Sequence, residues 1–341
     1  MVCYVGLDVS LKSTSICVLD ANGALIKEGT APSAPSDIAG FLRGDHRRYR
    51  RVLLEAGAMS RWLQEGLVKS GLPATLVETR HAHTVLKGSR NKTDRNDARG
   101  LAEMARVGLY KPVAVKSAAS QRLQASMTAR DLLVSKAVDL ELAIRGILRG
   151  FGLKLGVVSE RRFAERVNAL VGSWAWLWKI IRPLLRARTL MREQANDLER
   201  ELTAYPNADP VCRRLMTAPG VGPIVALTYR VAVEDPGRFR RSRSVAAHLG
   251  LTQRINQSGE LARRGRISCW GDAGARRALF MAGRSVLNPR TGPSALKAWG
   301  LQIAARRGKL KAFVAVARRL AVILHRMWID ETDFRSEAPA S

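Results

Sequence analysis

The sequence predicts an α/β domain over residues 1–116, a long helical segment over 117–208 and a mainly α-helical domain over 209–330, with a tail at 331–341. Three patterns carry that reading. Short β-branched apolar runs alternate with turn and helix signals in the first region, whereas apolar residues recur at helical spacing across 117–150 and 174–205. Beyond Asp209, tight glycine turns separate amphipathic segments.

The first region reads in order as follows. Val2-Cys3-Tyr4-Val5-Gly6-Leu7 is a buried strand leading to Asp8. A second strand spans 14–19, Asp20-Ala21-Asn22-Gly23 is a turn, and a third strand starts at Ala24. Asn-Gly between apolar runs is a hairpin signal, because both residues tolerate positive φ. Ser36 is expected to cap a short helix ending near Gly44. Arg51-Val52-Leu53-Leu54 leads to Glu55, a helix over 59–70 stops at Gly71, and a strand covers 74–78. The basic stretch Lys87-Gly88-Ser89-Arg90-Asn91-Lys92 then precedes a helix bearing Asp94 and Asp97. Three antiparallel strands followed by alternating helices and strands is the element order of an RNase H-like sheet. By analogy with that fold, the first and fourth strands are neighbours and Asp8 comes close to Glu55.

The helical segments at 117–150 and 174–205 are aliphatic on one side and charged on the other, which suits a helical hairpin or an oligomerisation arm. Pro183 is expected to bend or interrupt the second. Trp174, Trp176 and Trp178 could stack on bases, but helix core or subunit interface is the preferred reading. In the third region, Leu215 to Ile224 reads as helix, tight turn, helix. Gly220 and Gly222 in Pro219-Gly220-Val221-Gly222 permit a hairpin whose backbone N–H groups can hold a phosphate. Arg240, Arg241 and Arg243 are followed by Arg263, Arg264 and Arg266, by Arg276 and Arg277, and by Arg306, Arg307 and Lys309, with hardly any compensating acid. That succession predicts a phosphate-binding surface. The last helix, 311–328, carries Phe313, Val316, Leu320 and Ile323 on an apolar stripe.

Lys and Arg number 57 against 29 Asp and Glu, a net charge of +28. Such an excess implies a polyanionic partner. No apolar stretch is long enough to span a bilayer and no signal-peptide pattern opens the chain, so nucleic acid is the expected partner, with no membrane, in a cytoplasmic setting. Cys3, Cys17, Cys212 and Cys269 are scattered and read as reduced thiols. His81 and His83 lack partners at ligand spacing.

Asp8, Glu55, Asp94 and Asp97 form the candidate chemical centre. Asp94 and Asp97 are three apart at a helix start, so both project from one face of its first turn. Four gathered carboxylates repel unless a cation neutralises them, and an all-oxygen set suits Mg²⁺ or Mn²⁺. In so basic a chain the natural client is a phosphodiester.

With these pieces placed, the chain resembles the transposases of the insertion-sequence one-hundred-and-ten (IS110) family, which are related to Piv-type DNA invertases. Gly6-Leu7-Asp8-Val9-Ser10, Leu54-Glu55-Ala56-Gly57, Val77-Glu78-Thr79-Arg80-His81 and, above all, Asn91-Lys92-Thr93-Asp94-Arg95-Asn96-Asp97-Ala98-Arg99 carry the match. Further along, it rests on Pro219-Gly220-Val221-Gly222, Phe239-Arg240-Arg241-Ser242, Leu249-Gly250-Leu251-Thr252, Gln257-Ser258-Gly259-Glu260 and Gly265-Arg266-Ile267-Ser268. The resemblance implies a RuvC-like domain whose acidic site is Asp8, Glu55, Asp94 and Asp97, joined to a C-terminal domain with a helix-hairpin-helix and Ser258 as nucleophile. It implies recombination of DNA at element ends and target, guided by a structured RNA from the element, in a bacterial cell. It also implies a homo-oligomer, dimer or tetramer, acting at the nucleoid. Lys92, Arg95, Gly220, Gly222, Arg263, Arg264, Arg266, Arg276, Arg277, Arg306 and Arg307 are the expected nucleic-acid contacts. The chain departs from the family pattern in reading Asp8-Val9-Ser10-Leu11-Lys12 where Lys usually follows Ser directly, and Glu55-Ala56-Gly57-Ala58 where the usual wording is E-x-T-G.

Ser258 also sits in good turn chemistry, Asn256-Gln257-Ser258-Gly259, and Ser268 is a second candidate. Two other functions stay open on the residues. One is a metal-dependent nuclease, such as a junction resolvase, without serine chemistry. The other is a nucleic-acid-binding protein with a structural acidic cluster.

Overall fold

A computed structural model of the chain describes residues 1–43, 48–87, 93–258 and 261–336, without the side chains of 256, 258, 261, 262 and 264. The chain divides into two compact units, Met1–Val115 and Lys116–Ser341. The first is a mixed α/β sheet domain and the second is mostly helical. Among the described residues no helix is long and apolar enough to cross a membrane.

In the first unit, β1 (Val2–Val9), β2 (Ser13–Asp20), β3 (Leu25–Pro32), β4 (Arg48–Glu55) and β5 (Ala74–Val77) form one sheet in the order β3-β2-β1-β4-β5. β1 is antiparallel to β2 and parallel to β4, so the first and fourth strands are neighbours, as expected by analogy. Among the described residues four helices accompany the sheet: α1 (Pro35–Leu42), α2 (Ser60–Lys69), α3 (Thr79–Leu86) and α4 (Asp94–Val107). Alternation along the strands divides their side chains between two faces. Cys3, Val5, Leu7, Val52 and Leu54 pack with Ile38 and Leu42 of α1 and Leu63 and Leu67 of α2. On the other face Tyr4 and Leu53 pack with Ala82 of α3 and Leu101, Met104 and Ala105 of α4.

The turn after β2 is fixed locally. Asp20 Oδ1 accepts from the amides of Asn22 (2.9 Å) and Ala24 (2.8 Å), and Gly23 takes φ +88°. Ser36 does not cap α1. The N-cap is Ala34, with Pro35 opening the first turn, because the proline's fixed φ starts the helix one residue ahead of the serine. Helix α3 is unanticipated. Its eight residues present only one buried side chain, Ala82, too short a stripe to announce a helix.

The second unit begins with α5 (Ala118–Gly150), α6 (Phe163–Val171) and α7 (Ala175–Ala208). Ion pairs Arg130–Glu199 and Arg188–Glu141 show that α5 and α7 run antiparallel as a helical hairpin. Pro183 lies inside α7 without ending it, flanked by the core residues Ile181 and Leu185. The far end of the hairpin has its own core of Ile144, Leu148, Phe163, Val167 and Leu177, with α6 folded against it. Trp174 and Trp178 are half-buried against that core, in keeping with the packing role expected of them; Trp176 is 49% exposed.

The rest of the unit contains α8 (Pro210–Leu215), α9 (Pro223–Val233), α10 (Ser242–His248), β6 (Gln253–Ser258), β7 (Leu261–Ile267), α11 (Ala273–Val286), α12 (Ala295–Arg307) and α13 (Lys309–Ile329). Leu227, Leu279, Val316, Leu320 and Leu324 centre its core, which Leu123 and Met127 of α5 join. The Tyr229 hydroxyl donates to the Ala321 carbonyl at 2.7 Å inside that core, and burial raises its pKa. The β6–β7 ribbon is a further difference from the sequence reading, which takes Asn256 to Gly259 as loop. Among the described residues its strands pair with each other alone, and Gln253, Arg254, Ile255 and Gln257 of β6 and Arg263, Gly265 and Arg266 of β7 are exposed, so no buried alternation marks a strand there.

Candidate active site

Register and alternation bring the two strand-borne acids together. Leu7 of β1 pairs with Leu54 of β4 in parallel, so Asp8 and Glu55 finish adjacent strands at the same end of the sheet. Asp8 lies two residues beyond Gly6, and Glu55 two beyond Leu53, which puts both on the α4 side.

Helix α4 crosses β1 at Gly6 more closely than any side chain there would allow. A Cβ on Gly6 would stand 2.0 Å from the Ala98 carbonyl oxygen and 2.3 Å from the Ala102 nitrogen. The helix runs opposite to β1. Its last turn reaches the β2–β3 turn, where Arg106 Nη1 donates to Ala21 O at 3.4 Å. Its first turn, with Asp94 and Asp97, therefore lies toward the end where Asp8 and Glu55 sit. Thr93 caps that end, its Oγ1 accepting from the Asn96 amide at 3.2 Å. Acids in the first turn also face the positive end of the helix dipole.

Asp8, Glu55 and Asp97 are half-buried and Asp94 is exposed. Among the described residues, no three His, Cys, Asp or Glu side chains stand together closely enough to hold a metal ion. The backbone thus brings the quartet to one end of the sheet, while the side chains are not gathered into a cage. As a donor set, four carboxylates on two strand ends and one helix turn fit a hard divalent cation.

Lys92 lies outside the described residues. Arg95 forms an ion pair with Glu28 of β3, a residue the sequence reading did not single out. Glu28 stands opposite Cys17 in the β2–β3 register, and Cys17 packs with Ala98 and Ala102 of α4. Strand alternation could have identified its face, but only the fold supplies Arg95.

In the second unit, Gly220 has φ +75°, and a Cβ there would lie 2.6 Å from the Ala282 carbonyl oxygen. That glycine is needed for the approach to α11. Gly222 is exposed, has nothing near its Cβ position, and is the N-cap of α9. Ser258 ends β6 with Leu261 as its register partner; its side chain and that of Arg264 lie outside the described residues. Arg263 and Arg266 of β7 are exposed, as are Arg306 and Arg307 at the end of α12. Ser268 is tied into a turn: its amide donates to Thr252 O at 2.8 Å and its Oγ accepts from the Trp270 amide at 3.4 Å.

Arg276 serves the protein itself. Its Nη1 lies within donating distance of the carbonyls of Leu249, Trp270, Gly271 and Asp272, the nearest at 2.8 Å. Arg277 donates to Asp131 at 3.3 Å while remaining exposed. His248 is a contact the sequence did not flag. Arg238 Nη2 and its Nε2 are 2.8 Å apart, so the ring accepts from the guanidinium. Burial, with Arg238 beside it, lowers the pKa of His248 from its ordinary value.

A DEDD transposase model of the IS110 type matches residues 5–152, and the model for the transposase IS116/IS110/IS902 family matches residues 212–298. The transposase for insertion sequence element IS1111A of Coxiella burnetii is 30% identical, covering 98% of this chain and 91% of that protein. A probable family 20 transposase of Pseudomonas aeruginosa is also 30% identical, over 83% of this chain and 85% of its own length. The transposase for element IS1328 of Yersinia enterocolitica is 26% identical over 68% and 70% respectively. With near end-to-end likeness to such enzymes, and both halves matched by models of one lineage, the chain belongs to the IS110 family of insertion-sequence transposases.

Proposed function

We propose that this transposase cuts and rejoins DNA at element ends and target by attack of Ser258 on a backbone phosphorus, assisted by a divalent cation on Asp8, Glu55, Asp94 and Asp97. The supporting observation is the Gly6–Ala98 approach together with the Leu7–Leu54 register, which bring all four acids to one end of the sheet. The sheet order and the parallel β1–β4 pair support an RNase H-like, RuvC-like assignment for 1–116. The segments 117–208 and 209–330 then act as an oligomerisation arm and as the serine-bearing transposase domain, with α8 and α9 forming a helix-hairpin-helix.

Mg²⁺ or Mn²⁺, when bound, supplies neutralisation of charge on the attacking and leaving oxygens. Ser258 gives up its proton as the Oγ–P bond forms, the P–O bond to one deoxyribose breaks, and that oxygen leaves as a hydroxyl after taking up a proton. Reversal of the same exchange on another strand reseals DNA without ATP, because the phosphoserine link keeps a phosphodiester-like bond. Arg263 and Arg266, exposed on the ribbon that carries Ser258, neutralise the phosphate, and Arg264 shares that task. The remaining partners are a structured guide RNA from the element and further copies of the chain, in the bacterial cytoplasm at the nucleoid.

The test is direct. Purified protein is incubated with element-end DNA, candidate element RNA and Mg²⁺, then resolved under denaturing conditions. A protein–DNA adduct that disappears in Ser258→Ala supports the reading. Cleaved DNA with free ends, no adduct and full activity in Ser258→Ala would instead identify a nuclease.

A further inference from the structure

The far end of the α5–α7 hairpin carries a surface that the chemistry above leaves unused. Phe151, the residue at which α5 ends, is 43% exposed and meets Trp176 edge-on, with ring centroids 4.9 Å apart. Trp174 lies 6.1 Å from Trp176 and 6.3 Å from Phe151, so the three rings form one cluster. Trp174 is anchored in the local core, whereas Trp176 faces solvent. An aromatic ring of that size, half-exposed and buttressed by two others, is more than the scattered apolar residue expected on any surface.

A cavity of about 670 Å³ is built on the same chain turn, and Arg145, Arg149 and Lys154 line it with no acid among its lining residues. Arg145 is held in place by donating to Gly156 O at 2.6 Å. Residues 145–182 contain eight Lys and Arg against two Glu. A second copy of this chain docking here would set like charge against like charge. A polyanion bearing flat apolar faces complements both features.

We propose that the tip of the helical hairpin is a binding site for single-stranded nucleic acid, with an unpaired base stacking on Trp176 and Phe151 and its flanking phosphates held by Arg149 and Lys154. Stacking on exposed aromatics tolerates any base but needs it unpaired, since duplex bases hide their faces. Unpaired DNA and unpaired RNA share this chemistry. The site does not depend on Ser258 or on the four acids, so strand transfer can fail as a reading while this one stands.

The full-length protein is irradiated with 5-iodouracil-substituted single strands of DNA, of RNA and with a blunt duplex, and the adducts are mapped by proteolysis and mass spectrometry. Adducts on the peptide containing Trp174 and Trp176, formed by a single strand and absent with duplex, are the expected result, and the DNA and RNA arms identify the source. Trp176→Ala removes that adduct and weakens single-strand binding about tenfold, and Arg149→Glu with Lys154→Glu flattens its salt dependence. Unchanged thermal unfolding shows the variants to be folded. Absence of any adduct at the tip, or a Trp176→Ala protein whose oligomeric state changes while its adducts do not, overturns the proposal.

Discussion

Gly6 and Ala98 touch through their backbones: the glycine's missing side chain would stand 2.0 Å from the alanine's carbonyl oxygen. This single contact sets how far α4 can descend onto β1, and hence how near Asp97, one residue before Ala98, comes to Asp8, two residues after Gly6. Gly6→Ala is expected to push α4 off the sheet, since the two nearest obstructing atoms, Ala98 O and Ala102 N, are backbone. Overpacking of this kind costs about 1–3 kcal/mol. The variant should show a lower unfolding midpoint in denaturant and DNA cleavage reduced by more than the stability loss explains.

Asp94→Asn and Asp97→Asn separate chemistry from folding. Each removes a first-turn carboxylate worth about 0.3–1 kcal/mol to the helix, so the proteins should remain folded. Cleavage of element-end DNA should nevertheless fall by orders of magnitude, and Mn²⁺ titration followed by calorimetry should show weaker binding. Full cleavage by both variants would remove the acids from the mechanism.

The hairpin has its own electrostatic clamp. Arg188, 5% exposed, donates from Nε and Nη2 to Glu141 Oε1 at 2.9 and 2.8 Å and from Nη2 to Glu160 O at 3.0 Å. Arg192 Nη2 reaches the same carboxylate oxygen at 3.1 Å. Glu141→Ala leaves a buried guanidinium without its main partner and should destabilise the hairpin by about 3–5 kcal/mol. Replacing the pair together, Glu141→Leu with Arg188→Met, should lose much less. Limited proteolysis within 141–190 distinguishes the two.

His248 gives the fold an acid-side sensitivity. Its folded pKa is depressed below the ordinary 6.5, so the unfolded chain takes up the proton first as pH falls. The stability this residue contributes is complete above about pH 6.5 and is lost progressively below it. Denaturant midpoints measured from pH 7.5 downward should therefore decline less steeply in His248→Gln than in the unaltered protein, with the difference confined to the acid side.

Much of the first unit is legible because its constraints are local. The Asn22-Gly23 turn, the apolar runs ending in Asp8 and Glu55, and the helix bearing Asp94 and Asp97 each announce themselves within a few residues. Asp8 and Glu55 become neighbours only through a parallel pairing 47 residues apart in the chain, which fold analogy supplies and periodicity does not. Helix α3 and the β6–β7 ribbon escape notice for one reason: the helix buries only Ala82 and the described side chains at Gln253 to Ile255, Gln257, Arg263 and Arg266 are exposed, too little for hydrophobic spacing to register. The carbonyl contacts of Arg276, expected from the sequence as a nucleic-acid contact, are equally hidden, since a guanidinium on four carbonyls and one facing a phosphate look alike in sequence. The separate roles of Gly220 and Gly222, one pressed on α11 and one open, are equally invisible in the motif that contains both.

The antiparallel hairpin of α5 and α7 joins two independent cores, one shared with the C-terminal helices and one at its tip. Its span is therefore quantised in helical turns. Deleting seven residues from each limb, opposite one another, shortens the reach by about 10 Å and leaves nearly the same faces meeting. A change in limb length would then act as a ruler, resetting the separation of the aromatic tip from the core that α5 shares with the C-terminal helices.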